Sequence, residues 1–395
     1  MDYFSRDWEI TAEDEEGIIF ALEQHDRLRR VRFLMPAPKL QKLIAAIDEE
    51  CPVLEYLILY PSRKKDNCTA LKLPETFQAP RLRHLMLKGF SLTIGPQLLT
   101  NATNIVTLCL RANHRDAYFS PDTLLRWISF MPQLETLEIR FLFPVPNHDV
   151  KRQLIHAPMI SPITLPNLHF LVLKGGSTYV EAVVRRITTP RLRKLDIWFF
   201  KQLTFSVPCL QQFMNTDSNL RFDSAKFVFR RDKVLAGVYL REEIEVAEVK
   251  MIPLLIIVHC WHLDWQVSSV AQIFNSLGQI FSTVEHLTLV HGVHDQSSEE
   301  HNEVDPTEWR KLLRSFGKVK TLRVSGLVGT VSRSLRLENG EVALELLPEL
   351  QSLTLSSSGS NIGFIPFLDA RQNVGRPVTL VHPNSRPVTP EIFDW

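Results

Sequence analysis

A phrase of the form Pro-x-Leu-x-x-Leu-x-Leu recurs along this chain and constrains its fold more than any other feature. It reads Pro52-Val53-Leu54-Glu55-Tyr56-Leu57-Ile58-Leu59 in one copy and Pro80-Arg81-Leu82-Arg83-His84-Leu85-Met86-Leu87 in another. Pro132 to Ile139, Pro166 to Leu173, Pro190 to Ile197 and Pro348 to Leu355 repeat it closely. Copies without the proline centre on Leu28, Ile105, Val284 and Val319. The last two apolar positions are two residues apart and share one face of a short strand. The leading one sits in the turn that enters the strand, and a proline just ahead suits a strand start.

Apart from one long gap between 192 and 284, the copies are 23 to 35 residues apart. That pitch overlaps the 20–29 residues of leucine-rich repeats, with some longer units. Helical patterns fill the spaces, as at Leu40–Glu49, Pro121–Phe130, Tyr179–Ile187, Pro208–Met214, Val267–Phe281 and Pro306–Phe316. Ser120-Pro121-Asp122 and Asp305-Pro306-Thr307 are helix starts with a capping side chain. The expected fold is therefore α/β: a leucine-rich-repeat-like solenoid, irregular in its repeats, with a curved parallel sheet on the concave side and helices on the convex side. A single unit cannot bury its leucines; stacked units can. A doubly wound α/β enzyme would want glycine-rich strand-to-helix turns, and the chain has 15 glycines in 395 residues. The domain reading is an acidic N-terminal segment at 1–24, the solenoid at 25–382 with an irregular stretch at 218–283, and a tail at 383–395.

These residues resemble the repeat region of fungal F-box-type leucine-rich-repeat proteins, from about Trp8 to His382. Phe130-Met131-Pro132-Gln133-Leu134-Glu135-Thr136-Leu137 and Leu346-Leu347-Pro348-Glu349-Leu350 carry the likeness. The resemblance implies that the repeats present a protein substrate to a cullin ubiquitin ligase, with a Skp-type adaptor bound through an F-box. Residues 1–40 lack the Leu-Pro opening of an F-box, so the adaptor is expected only if an F-box is present elsewhere. The common repeat also places Asn or Cys eight residues after its first leucine. Here those positions hold Ser62, Phe90, Asn113, Leu142, Gly176, Phe200, Gly292, Leu327 and Ser358. Turns held by packing, with no asparagine ladder, are expected.

The column just past each last leucine reads Tyr60, Lys88, Arg111, Arg140, Lys174, Trp198, Val290, Ser325 and Ser356. Four successive cations flanked by Tyr60 and Trp198 make the candidate partner-binding site. Arg and Lys in a row suit an acidic or phosphorylated protein segment, because they pair with carboxylate and phosphate oxygens. The competing reading is a solvated edge neutralised by Glu135 and Glu138.

Lys and Arg number 45 against 44 for Asp and Glu, a net charge of +1, which disfavours a nucleic-acid coat. The longest apolar run, Met251 to Val258, is far short of the ~20 residues that span a bilayer, so no membrane is expected. Cys51, Cys68, Cys109, Cys209 and Cys260 are odd in number and widely spaced, suiting reduced thiols inside a cell, in cytoplasm or nucleus. Neither the loop from His291 to His301 nor any other cluster has the spacing of a common metal site. Phosphate-binding glycine loops, nucleophile elbows and zinc-protease motifs are absent. No cofactor and no catalytic residue are assigned. The expected function is protein–protein interaction; the alternative is a divergent α/β enzyme.

Overall fold

The computed structural model describes residues 2–4, 11–47, 49–61, 71–90, 96–101, 103–112, 117–144, 162–217, 220, 222–241, 252–292, 304–336, 345–355 and 361–381. Ser62, Asn113, Ser356, Ser358, the histidine-rich loop beyond Gly292 and the tail from 383 lie outside them. The chain divides into two compact units, Met1–Arg193 with Thr216–Asn219, and Lys194–Asn215 with Leu220–Trp395.

The first unit contains β1 (Asp2–Phe4), α1 (Ala12–Leu22), β2 (Arg30–Met35), α2 (Ala37–Ile44), β3 (Tyr56–Pro61), β4 (His84–Lys88) and α3 (Pro96–Asn101). It continues with β5 (Thr107–Ala112), α4 (Pro121–Ile128), β6 (Thr136–Phe141), β7 (Ile163–Thr164), β8 (Phe170–Gly175), α5 (Ser177–Val184) and β9 (Ile187–Thr188). Its sheet runs β1-β2-β3-β4-β5-β6-β8, parallel throughout. β7 and β9 form a small parallel pair beside it.

The second unit contains β10 (Lys194–Phe199), α6 (Pro208–Asp217), β11 (Ser224–Phe229), β12 (Lys233–Tyr239), β13 (Leu254–His259), α7 (Leu263–Ser276) and β14 (His286–His291). After these come α8 (Pro306–Arg314), β15 (Thr321–Ser325), α9 (Val328–Ser334), β16 (Ser352–Leu355), α10 (Ile365–Asn373) and β17 (Thr379–Val381). Its strand order is β10-β13-β12-β11-β14-β15-β16-β17. Here the run of parallel strands is interrupted: β12 is antiparallel to both β11 and β13. Within the stretch 218–283, β11 and β12 form an antiparallel hairpin, closed where Arg230 N donates to Lys233 O at 2.9 Å.

The repeated phrase has one turn conformation in all of its proline-bearing copies. The first leucine closes a tight turn on the residue three before it, as in Leu54 N to Cys51 O, Leu82 N to Ala79 O, Leu134 N to Met131 O and Leu192 N to Thr189 O. The proline is therefore the second residue of the β-turn that leads into the strand, where its fixed φ is preferred. One residue later, a carbonyl accepts two N–H groups from the next repeat. Arg29 O receives Glu55 and Tyr56; Glu55 O receives Arg83 and His84; Arg83 O receives Val106 and Thr107; Val106 O receives Glu135 and Thr136. In the second unit Asp223, Glu285 and Lys320 form the same chain. This backbone ladder ties repeat to repeat without any particular side chain, so the phrase tolerates Glu, Arg, Val or Lys at that point.

The three apolar positions are buried in both units, for example Leu82, Leu85 and Leu87, Leu134, Leu137 and Ile139, and Val284, Leu287 and Leu289. Aromatic contacts show that helices cover this leucine face. Phe141 at the end of β6 meets Tyr179 of α5 at 5.0 Å, and Phe227 of β11 meets Phe274 of α7 at 4.8 Å. Phe90, Phe200 and Leu327, at positions where an asparagine ladder would run, are buried apolar fillers.

The helix starts read from the sequence are present. Ser120 accepts from Thr123 N at 3.1 Å and Asp305 from Thr307 N at 2.8 Å. Glu13, Asp14 and Glu15 lie in the first turn of α1, capped reciprocally by Thr11 and Asp14, where negative charge complements the exposed N–H groups. Two buried arginines brace the second unit. Arg310 donates to the carbonyls of Ser334 and Arg336, and Arg371 to those of Leu347, Pro348 and Leu350. Leu347 needs that support: its φ of 49° lies in the left-handed region, which costs an L residue about 1–2 kcal/mol.

Candidate functional site

Strand alternation sends every second residue away from the leucines, and in the first unit that opposite face stays partly exposed. The register brings the predicted cations into one row. Lys88 pairs with Arg111, Arg111 with Arg140 and Arg140 with Lys174. At ~4.8 Å per strand the row is roughly 15 Å long. Tyr60 precedes it on β3, with Lys88 Nζ 5.7 Å and Arg111 Cζ 6.0 Å from its ring centroid. The cations thus sit against an aromatic face that favours them.

The neighbouring row, two residues earlier on each strand, reads Ile58, Met86, Cys109, Glu138 and Val172. Glu138 is only 8 % exposed and lies between two guanidiniums. Arg111 Nε donates to Glu138 Oε1, and Arg140 Nε lies 3.0 Å from the same oxygen. Burial works against the charge on Arg111; the hydrogen bond and the charge of Glu138 outweigh it and hold the guanidinium above its ordinary pKa. Burial, then the Glu138 carboxylate, pushes the Cys109 thiol up to about 12, so it is a protonated core group and not a nucleophile. Burial likewise raises the Tyr60 phenol. Of the two acidic residues expected to neutralise the row, Glu138 contacts it from the neighbouring row.

Sequence reasoning overlooked a second row on this face. Arg30, Tyr56, His84, Thr107, Thr136 and Phe170 are in register, and the last five stand two residues before the row that holds Glu138. The Tyr56 and His84 rings stack at 4.3 Å with 9° between planes, and Arg30 Cζ lies 4.6 Å from the Tyr56 centroid. His84 Nδ1 is 3.1 Å from Thr107 Oγ1, and burial, helped by the charge of Arg83, lowers the His84 pKa. The column just before each strand's first leucine would have revealed it. Cation, aromatic ring and hydroxyl are thus set on a rigid sheet, which suits binding an anionic, extended segment.

Trp198, expected to flank the cations, belongs to the second unit. There it pairs with Ile257 and packs on an apolar cluster of Val228, Leu235, Ile252, Leu255 and Ile257. Among the described residues no group of three or more His, Cys, Asp or Glu is placed to hold a metal ion. No described helix is long and apolar enough to cross a membrane.

No known protein family matches the chain, and no curated protein does. Among solved structures, the leucine-rich repeat-containing protein LegL7 from Legionella pneumophila is similar over 79% of this chain and 78% of its own. The two are 13% identical, with a TM-score of 0.27. That score is too low to inform the fold, which rests on strand register and burial.

Proposed function

We propose that this chain is a non-catalytic protein-interaction module built from leucine-rich-repeat-like units. In this reading the part-exposed sheet face of the first unit binds an acidic or phosphorylated segment of a partner. The in-register row Lys88–Arg111–Arg140–Lys174 supports it. The four cations are held on adjacent strands, with the buried Glu138 carboxylate between Arg111 and Arg140, and strand spacing fixes where a partner's anionic groups can sit. Lys88, Arg111, Arg140 and Lys174 contact the anions, while Tyr60 backs the first two cations. Free thiols at Cys51, Cys109 and Cys260, all buried, accord with a role inside the cell.

Arrays of short acidic and phosphoserine peptides test the reading. The expected result is selective, salt-sensitive binding that falls at least ~10-fold in the Arg111→Glu/Arg140→Glu variant, because each charge-assisted contact is worth on the order of 1.5–3 kcal/mol. Unchanged binding by a folded double variant sinks it. The likeness to fungal F-box-type proteins extends the proposal to a substrate receptor of a ubiquitin ligase. Affinity purification from the native cell checks that extension: a Skp-type adaptor and a cullin should co-purify, and their absence alongside specific partners leaves the interaction module alone.

A further inference from the structure

The second unit carries a separate surface feature. Leu203 is 90 % exposed, Trp261 65 % and Trp265 42 %. Isolated exposed apolar residues are ordinary; a group of large ones on adjoining loops marks an interaction surface. β10 and β13 pair in parallel up to Phe199 and Val258, so the loops holding Leu203 and Trp261 leave the sheet side by side. Trp265 stands on the first turn of α7, which follows directly.

These loops are built, not slack. Phe205 N donates to Gln272 Oε1 at 2.9 Å, fixing the first loop to α7. Gln266 Nε2 donates to Cys260 O at 2.9 Å and to Arg230 O at 2.6 Å, locking the β11–β12 turn against the second loop. Lys201 Nζ lies 3.2 Å from the centroid of Trp265, and the His262 ring meets the same indole nearly edge-on at 4.7 Å. The locked turn contributes Arg230, Arg231 and Lys233, so among the described residues these and Lys201 are the cations of the rim, alongside the carboxylates of Asp232 and Asp264.

We propose that this rim docks an acidic peptide segment of a partner protein that carries an apolar anchor. The anchor packs on Leu203, Trp261 and Trp265, and flanking carboxylates meet Lys201 and the cationic turn. Tryptophan and arginine are the side chains on which interface energy concentrates. Charge selects the occupant. A second copy of the same rim would bring like charges together. An anionic bilayer or a nucleic acid would set a continuous layer of negative charge against Asp232 and Asp264, whereas a peptide can be threaded between them. This surface is independent of the cation row of the first unit.

The test uses the full chain and short fluorescent peptides: acidic with one central Leu, Phe or Trp, acidic without it, and Lys-rich with it. Only the first kind should bind. A Leu203→Ser/Trp261→Ser variant should lose at least ~30-fold in affinity, the size of one interface hot spot, with unfolding unchanged because both side chains are exposed. Lys201→Glu should weaken the same peptides, and Arg111→Glu/Arg140→Glu should leave them unaffected. The proposal is overturned if no peptide binds, if the anchor is dispensable, or if Leu203→Ser/Trp261→Ser binds as before. It is equally overturned if those residues instead govern adsorption to phosphatidylserine vesicles, binding to single-stranded nucleic acid or self-association.

Discussion

One residue past the last leucine, four successive strands of the first unit carry Lys88, Arg111, Arg140 and Lys174, whereas the second unit reads Trp198, Ile257, Leu235, Val228, Val290 and Ser325. The strand position is the same and the chemistry opposite. In the first unit only the leucine face is fully covered, so the other face can keep cations in contact with water. In the second, β11, β12 and β13 are buried on both faces, and their sequences run apolar almost without alternation, as strands covered on both sides do. The repeat phrase therefore decides how the chain folds, and the residues between its leucines decide what each part of the sheet can touch.

Substitution at matched positions should break this contrast if it is wrong. The largest effect is expected for Ile257→Lys, which buries an unpaired charge and should cost more than about 4 kcal/mol. Arg140→Ile, in the same row of the first unit, should stay within about 1–2 kcal/mol, since its position is partly exposed. Urea unfolding followed by circular dichroism measures both, and equal losses would refute the difference between the faces. Next in size is Glu138→Leu. It leaves Arg111 and Arg140 side by side without their carboxylate and should cost about 1–3 kcal/mol, most of it recovered when both arginines become Met.

A smaller effect should be the same in both units. Pro80→Ala and Pro348→Ala free the unfolded chain at equivalent turns and should each cost about 0.4–1 kcal/mol. Unequal losses would mean that the turn does different work in the two units. The smallest effect is one of pH. Burial lowers the pKa of His84 in the first unit and of His291 in the second. Below the ordinary histidine value of about 6.5 the unfolded chain takes up protons that the folded chain refuses. Stability should thus be full above that pH and fall as acidification proceeds toward the folded values. Thermal unfolding between about pH 7.5 and 5.5 reads the slope, and His84→Asn and His291→Asn should each flatten it.

Much of the fold was legible because the phrase encodes both halves of a repeat. Leucines two apart mark a strand face, and the leucine three before them marks the turn. The helix starts at Ser120 and Asp305 were equally readable, since a capping side chain acts within its own segment. The hairpin of β11 and β12 was not, because reversing a strand leaves the alternation of Phe227 and Phe229 unchanged. The cation row was found by counting from the leucines, which works only because every strand of the first unit keeps the same register. The Arg30–Tyr56–His84 stack escaped notice because its members are 26 and 28 residues apart and of three different types.

By itself, the sequence determined the period, the turn, the leucine face and which residue of each strand stands next to its last leucine, because each depends on residues within one repeat. Tertiary structure alone decided what those residues meet. It set Glu138 between Arg111 and Arg140, buried Arg310 and Arg371 on backbone carbonyls, and placed Trp198 against an apolar cluster while leaving Trp261 in solvent. The cause is physical: a charge or an indole is defined by its neighbours in space, and those neighbours are supplied by strands a full repeat or more away.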